Sequence, residues 1–254
     1  MRTLLILVDG MRPDALSGQP LVQQIMQKAS YTMRAKTVMP SKTLPCIMSL
    51  FHSVDPGRHG ITTNVHTPQA RPIDGLCEVL HKNKKTSAFF YNWEELRDLA
   101  RPGSLTYSFF CSGNEVGYDK ANNTVTDAAI AHLQNNETDF TFLYLGYTDM
   151  AGHAYGWMSE GYMKAMDNSW DNIERVLNAL PDDYTVIITA DHGGHDRMHG
   201  LDIPEDMTIP LMLLGKGFAP GNEIGEASIK DIVPTVARLL DIEPDSQWEG
   251  KSLI

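Results

Sequence analysis

The stretch Val186-Ile187-Ile188-Thr189-Ala190-Asp191-His192-Gly193-Gly194-His195-Asp196-Arg197-Met198-His199-Gly200 decides how this chain is read. Its first five residues are apolar or β-branched and present no polar face. Such a run predicts a buried strand in a parallel sheet that is covered on both sides. The polar residues after Ala190 predict the loop at that strand's carboxyl end, where ligands sit in open α/β sheets. Asp191 with His192, His195 and His199 on a glycine-rich loop has the composition of a metal site. The plainer reading is a polar loop of solvated histidines.

Working outward, the same grammar recurs twice. Thr3 to Val8 is a continuous apolar run that ends in Asp9-Gly10, and Phe140 to Tyr147 is an aromatic-rich run that ends in Thr148-Asp149. Further strands are predicted over 31–38, 86–91 and 209–214. Helical spacing covers 20–29, 41–51, 73–83, 123–134, 159–180 and 229–240, whereas 55–64 and 92–118 read as irregular. Strands alternating with helices predict an α/β, doubly wound, mostly parallel sheet with helices on both faces. With no linker, repeat or low-complexity segment, residues 1–254 are expected to form a single catalytic domain.

The bulk numbers narrow the classes. A chain of 254 residues, 42% hydrophobic, suits one sizeable α/β domain. A net charge of −11 without a basic patch excludes a nucleic-acid polymer as partner. A small phosphorylated substrate remains compatible, since bound cations invert local charge. Cys46, Cys77 and Cys111 are widely spaced, odd in number and contain no CxxC pair, so neither a disulfide framework nor a thiolate zinc site is indicated. A reduced, cytoplasmic setting is expected. No run is long enough to span a membrane, and no membrane partner is expected. Composition says nothing of oligomeric state.

Asp9, Asp149 and Asp191 each end a predicted buried strand, so in a parallel sheet they can converge on one rim. Clustered carboxylates raise each other's pKa unless cations neutralise them, and a pair of divalent ions would do so. Asp149 and His153 stand four apart, which puts both on one side of a helical turn. Asp191 and His192 diverge as neighbours and suit two different ions, and His199 adds an imidazole. Oxygen and nitrogen donors without cysteine suit zinc or manganese. Two zinc ions a few ångströms apart are the usual arrangement for displacement at phosphorus. Thr43 is the candidate nucleophile at a predicted helix start, where free N–H groups favour an anion; plain helix capping is the alternative. Lys42 can neutralise phosphate or simply be solvated. Asn64 can hold a phosphoryl oxygen or simply turn the chain. Tyr91, Trp93, Tyr155 and Trp157 can flank the site or pack in the core. Arg12 and Lys42 are the nearby cations for the extra charge of a monoester.

The sequence resembles the alkaline phosphatase superfamily, in particular its type I phosphodiesterase/nucleotide pyrophosphatase branch. The matching residues are Val8-Asp9-Gly10-Met11-Arg12-Pro13-Asp14, Met39-Pro40-Ser41-Lys42-Thr43-Leu44-Pro45 and Arg58-His59-Gly60-Ile61 leading to Asn64. They continue with Asp149-Met150-Ala151-Gly152-His153, Asp191-His192-Gly193-Gly194 and His199-Gly200. Asp231-Ile232-Val233-Pro234-Thr235 and Gly250-Lys251-Ser252-Leu253 resemble the superfamily's usual ending. The resemblance implies an alkaline phosphatase-like fold without a large cap domain. It implies two divalent ions, usually zinc, one held by Asp149, His153 and His199, the other by Asp9, Asp191, His192 and the Thr43 hydroxyl. Thr43 would attack phosphorus and form a phosphothreonine that water releases. Asn64 and the backbone N–H near Thr43 would hold the phosphoryl oxygens. The last imidazole is His195 or His199; His199 is chosen because it precedes Gly200, which leaves His195 to support a ligand or touch substrate. Cys46-Ile47 stand where well-known branch members carry Asn-His, and the C/S-x-P-x-R frame of sulfatases is missing. The expected function is a metal-dependent phosphoester hydrolase acting on diesters or pyrophosphates. Alternatives are a phosphomonoesterase, a phospho-group transferase or a non-catalytic metal-binding relative. The lack of room for a cap counts against a mutase.

Overall fold

The apolar run at the amino end becomes β1 (Arg2–Val8), with every residue from Thr3 onward fully buried. The computed structural model describes residues 1–254. The remaining strands are β2 (Ala29–Lys36), β3 (Ser87–Tyr91), β4 (Tyr107–Phe110), β5 (Phe140–Leu145), β6 (Tyr184–Thr189), β7 (Thr208–Leu214) and β8 (Asn222–Glu223). The helices are α1 (Pro20–Lys28), α2 (Thr43–His52), α3 (Pro56–His59), α4 (Leu76–Lys82), α5 (Gly113–Val116), α6 (Tyr118–Asn135), α7 (Tyr147–Tyr155), α8 (Glu160–Ala179), α9 (Pro204–Met207) and α10 (Ile232–Leu239). No helix is long and apolar enough to cross a membrane.

The strands form one sheet in the order β4-β3-β5-β1-β6-β7-β2-β8. β1 runs parallel to both neighbours, with Val8 opposite Leu145 of β5 and Leu7 opposite Thr189 of β6. The carboxyl ends of these three strands therefore lie side by side. The chain leaves β1 for β2 on one flank and resumes at β3 on the other, so strand order reverses beside β1, the usual place for a ligand crevice. The exception to parallel pairing is β7, which runs antiparallel to both β6 and β2. Periodicity carries no direction, so the sequence did not show this.

One layer of helices is α6, α7 and α8; the other contains α2, α4 and α10. The buried face of α2 supplies Phe51, whose ring meets Phe142 at 5.0 Å, Phe89 at 5.3 Å and Phe140 at 6.3 Å in edge-to-face packing. Such contacts add to the apolar area already buried, and they fix the height at which α2 presents its first turn. Element boundaries differ from expectation where side chains recruit extra backbone. β2 begins at Ala29, not at residue 31, because its ladder with β7 starts there. Tyr147 belongs to α7, not to the strand before it. Residues 94–99 wind into a 3-10 helix and 107–110 add an edge strand within the segment expected to be irregular.

A buried histidine ties α2 to the loop beyond it. His59 accepts from the Ile61 N–H at Nδ1 (3.1 Å) and meets the Ser49 hydroxyl at Nε2 (3.0 Å). Burial lowers its pKa from 6.5 to about 4. The folded protein therefore holds neutral His59, while the unfolded chain protonates it below pH 6.5. This contribution is whole above that pH and is lost as pH falls toward 4; its ceiling is about 3 kcal/mol at about 1.4 kcal/mol per unit. Urea unfolding between pH 7.5 and 4.5 is expected to be less pH-dependent for His59→Asn, whose amide oxygen can still accept from Ile61. Equal slopes for the two proteins would refute the assignment.

Candidate functional site

Asp9 is the first residue beyond β1, and Asp191 lies two residues beyond β6. Asp149 departs from the expected position at a strand end: it is the third residue of α7, after the turn Gly146. Convergence still holds, because Gly10 has φ +67° and no side chain. A Cβ there would meet the Asp149 Cα at 3.2 Å, so glycine lets the end of β1 lie against the first turn of α7. The Gly10 N–H donates to Asp191 Oδ1 (3.2 Å), which joins the third carboxylate to the pair.

Three imidazoles face these carboxylates in one manner. His192 Nδ1–H donates to the Gly193 carbonyl (2.8 Å), His199 Nδ1–H to the Ser41 carbonyl (2.8 Å) and His153 Nδ1–H to the Arg197 carbonyl (2.9 Å). Each ring thus turns a bare Nε2 lone pair inward. His192 Nε2 lies 3.2 Å from Asp191 Oδ2 and 3.3 Å from Asp9 Oδ1. His153 Nε2 is 3.5 Å from Asp149 Oδ2, and His199 Nε2 is 3.6 Å from Asp149 Oδ1. The His192 and His199 rings stack at 3.8 Å and 12°. Asp9 Oδ1, Asp149 Oδ1 and Asp191 Oδ2 are buried without a hydrogen-bond partner.

Lone pairs pointed at partnerless carboxylate oxygens repel unless something positive lies between them. Burial shifts the groups accordingly. Asp9 is raised far above the usual carboxylate range by burial, then by the charges of Asp191 and Asp149. Asp149 is raised by burial, and burial brings Asp191 to about 7. His192 is lowered to about 4 by burial, and His199 to about 4 by burial and then by His192. Two donor groups result, each with its atoms within 4.8 Å of one another: Asp149, His153 and His199, and Asp9, Asp149 and His192. The residues fit divalent cations, with oxygen and imidazole donors and with backbone carbonyls fixing each ring. The second group differs from the set that the resemblance implies: Asp149 stands in it, and Asp191 reaches it through His192.

Thr43 is the first residue of α2, and its Oγ1 lies 3.1 Å from His192 Nε2. The capping alternative fails, because Lys42 is the N-cap residue and no side chain caps the helix. Ser41, the other cap candidate, donates its hydroxyl to the Leu201 carbonyl (3.0 Å). Asn64 Oδ1 accepts from the Leu44 N–H (3.0 Å). That N–H is thereby occupied, and the Asn64 amide nitrogen is left for a ligand. Asn64, Thr43 and the donor residues Asp9, Asp149, His153 and His199 line a cavity of about 180 Å³, together with Trp93, Tyr118 and Tyr144.

Some expected neighbours lie elsewhere. The Lys42 side chain runs along Gly200 and is not part of the cavity lining. Arg12 is held by Asp14 (Nε to Oδ1, 2.9 Å) and the Gly194 carbonyl (2.9 Å). His195 turns to Asp206 (2.7 Å), so His199 is the imidazole in the cluster. Of the four aromatics, Trp93 lines the cavity, Tyr91 packs on Phe110, and Tyr155 and Trp157 lie beyond His153. Sequence reasoning missed Tyr144, whose buried hydroxyl donates to Asp9 Oδ2. A tyrosine at the end of a buried strand beside an aspartate was the available signal.

Known proteins share both the sequence pattern and the fold. The family model described as Type I phosphodiesterase / nucleotide pyrophosphatase matches residues 3–203. A 2,3-bisphosphoglycerate-independent phosphoglycerate mutase of Clostridium botulinum is 30% identical over 137 residues, 51% of this chain and 26% of that protein. A phosphopentomutase of Clostridium kluyveri is 32% identical over 163 residues, 63% of this chain and 39% of that protein. The chain thus spans well under half of the length of these curated relatives. Human ectonucleotide pyrophosphatase / phosphodiesterase 5 superposes with a TM-score of 0.82 at 14% identity, over 99% of this chain and 97% of that one. The phosphonate monoester hydrolase of Agrobacterium radiobacter does so with 0.79 at 14%, over 99% and 76%. An inactive variant of murine ectonucleotide pyrophosphatase / phosphodiesterase 5, in complex with AMP, gives 0.77 at 15%, over 98% of each chain. At such identities the likeness is one of fold.

Proposed function

The chain belongs to the type I phosphodiesterase / nucleotide pyrophosphatase family, within the alkaline phosphatase superfamily, and from that premise we propose that it hydrolyses phosphodiester or pyrophosphate bonds of a small substrate through a phosphothreonine at Thr43. The observation that carries the reading is the inward Nε2 of three imidazoles set against partnerless buried carboxylate oxygens, with a threonine hydroxyl 3.1 Å from one of those nitrogens. In this reading Asp149, His153 and His199 hold one divalent ion, and Asp9, Asp191, His192 and Thr43 a second, zinc or manganese in each case. When bound, such ions supply the positive charge that favours an ionised hydroxyl and neutralises phosphoryl oxygens.

The chain's own groups do the rest. Thr43 Oγ1 forms the bond to phosphorus as the bond to the leaving oxygen breaks; the phosphothreonine keeps the substrate's other substituent on phosphorus until water cleaves it and releases a monoester. The stiff χ1 of a β-branched side chain at a packed helix start keeps Oγ1 on target. The Asn64 amide nitrogen donates to a phosphoryl oxygen, aimed by the bond that fixes its Oδ1. No lysine or arginine lines the cavity, which suits a singly charged diester better than a monoester. The curated mutases among the relatives favour a second reading, phospho-group transfer or monoester hydrolysis at the same residues.

The two are separated by bis(p-nitrophenyl) phosphate and p-nitrophenyl phosphate, assayed with zinc, with manganese and with a chelator. Expected is chelator-sensitive turnover, with kcat/KM for the diester at least about tenfold above that for the monoester, that is about 1.4 kcal/mol. The reverse preference supports the second reading. Tight metal binding with neither ester cleaved would leave a binding protein.

A further inference from the structure

We propose that the open apolar cavity beyond His153 receives the leaving group of the substrate, and that this leaving group is an aromatic alcohol. The inference rests on the phosphoester reading and names the substrate class for it. The cavity measures about 730 Å³ and is walled by Tyr155, Trp157, Met158 and Met198, with Arg197 at its side. The catalytic cavity, at about 180 Å³, is about a quarter of that size. A bulky ester group finds more room in the larger space than in the smaller one.

Direction comes from the order of the rings. Thr43 Oγ1 touches His192, His192 stacks on His199, His199 lies 5.1 Å from His153, and His153 lies 5.2 Å from Trp157. Displacement at phosphorus is in line, so the leaving oxygen departs on the side away from the nucleophile. His153 stands at the end of that series remote from Thr43, in the donor group that Thr43 does not touch, and the apolar cavity opens behind it. The two spaces also share one stretch of backbone. Arg197 offers its carbonyl to His153 Nδ1, and Met198 is followed by His199.

The walls are costly to keep as they are. Tyr155 is 60%, Met198 52% and Met158 40% exposed, a cluster of large apolar side chains that water alone does not favour. Met158 holds φ of +63°, a conformation uncommon for a residue of its size, and the Asp196 carbonyl accepts from the Trp157 N–H (2.7 Å). Arg197 forms no ion pair, so its cation is free to lie over an aromatic face. Met158 and Met198, both in the wall, offer soft, adaptable contacts to a flat ring.

The test uses 2-naphthol as a stand-in for the leaving alcohol and reads binding separately from hydrolysis. Quenching of tryptophan fluorescence in the intact protein should saturate with Kd on the order of 1 mM, as expected for so small a ligand. Met198→Glu and Tyr155→Ala should each weaken binding at least fivefold. With 2-naphthyl diesters, the same substitutions should raise KM by a similar factor. Absence of saturable binding, or binding that neither substitution alters, would overturn the proposal even if the protein hydrolyses diesters. A concentration-dependent mass that Met198→Glu abolishes, with naphthol affinity unchanged, would overturn it in favour of a second copy of the chain. Failure of the phosphoester reading itself would appear separately, as no turnover of any ester despite intact naphthol binding.

Discussion

Thr43→Ala is expected to lower kcat for bis(p-nitrophenyl) phosphate by about 10⁴-fold while leaving the thermal stability of the metal-free protein near that of its parent. The magnitude comes from what losing a nucleophile costs enzymes that work through a covalent intermediate. Stability should hold because the Thr43 hydroxyl does not cap its helix; its contact is with His192. Thr43→Ser keeps the hydroxyl and loses the methyl that restricts χ1. It should retain activity within about 10²-fold, the loss reflecting looser orientation. Acid-quenched parent protein incubated with bis(p-nitrophenyl) phosphate should carry one p-nitrophenylphosphoryl group on the peptide containing Thr43, the other p-nitrophenol having left, and the alanine variant none. Full turnover by the alanine variant would remove Thr43 from the reaction.

Asp149→Asn should move stability in opposite directions with and without metal. In the presence of a chelator, Asp9, Asp149 and Asp191 each hold a buried oxygen without a partner, and burial disfavours ionisation of all three. Replacing one carboxylate by an isosteric amide removes that penalty, so the metal-free protein should gain about 1–3 kcal/mol in urea unfolding. With zinc or manganese the sign reverses. A ligand at a thousand times its Kd stabilises by about 4 kcal/mol, and most of that increment should vanish in the variant. Asp149 is expected to matter more than His153 because Asp149 stands in both donor groups and His153 in one. A variant less stable without metal and stabilised by metal like the parent would contradict this account.

The strands around the site were legible because they are buried on both faces, and such strands spell continuous apolar runs. β1, β5 and β6 appear in the chain as Leu4–Val8, Phe140–Leu145 and Val186–Thr189, each with an aspartate soon after. His199 is preferred to His195 because it precedes Gly200, as in the His-Gly endings of related sequences, and the structure groups it with Asp149 and His153. What stayed hidden depends on long-range geometry. Nothing near Arg12 announces that Asp14 and the Gly194 carbonyl will hold its guanidinium. The Tyr144 hydroxyl reaches an aspartate 135 positions away. Asp149 reads as a strand end because Phe140 to Tyr147 is uniformly apolar and aromatic; only Gly146, at the turn, marks where α7 takes over. The antiparallel β7 looks in sequence like any parallel strand.

That reversed strand also sets a timetable. An antiparallel neighbour needs no crossover helix, so the whole connection from β6 to β7 is spent at the rim, carrying Asp191, His192 and His199. β1 has no partner until β5 and β6 have been synthesised, and β2 cannot pair until residue 214 exists. A ribosome-bound chain therefore displays Asp9 and Thr43 early with nothing to complete them. On the proposed reading, a cation site is complete only after the segment carrying His192 and His199, which lies between β6 and β7, has been made.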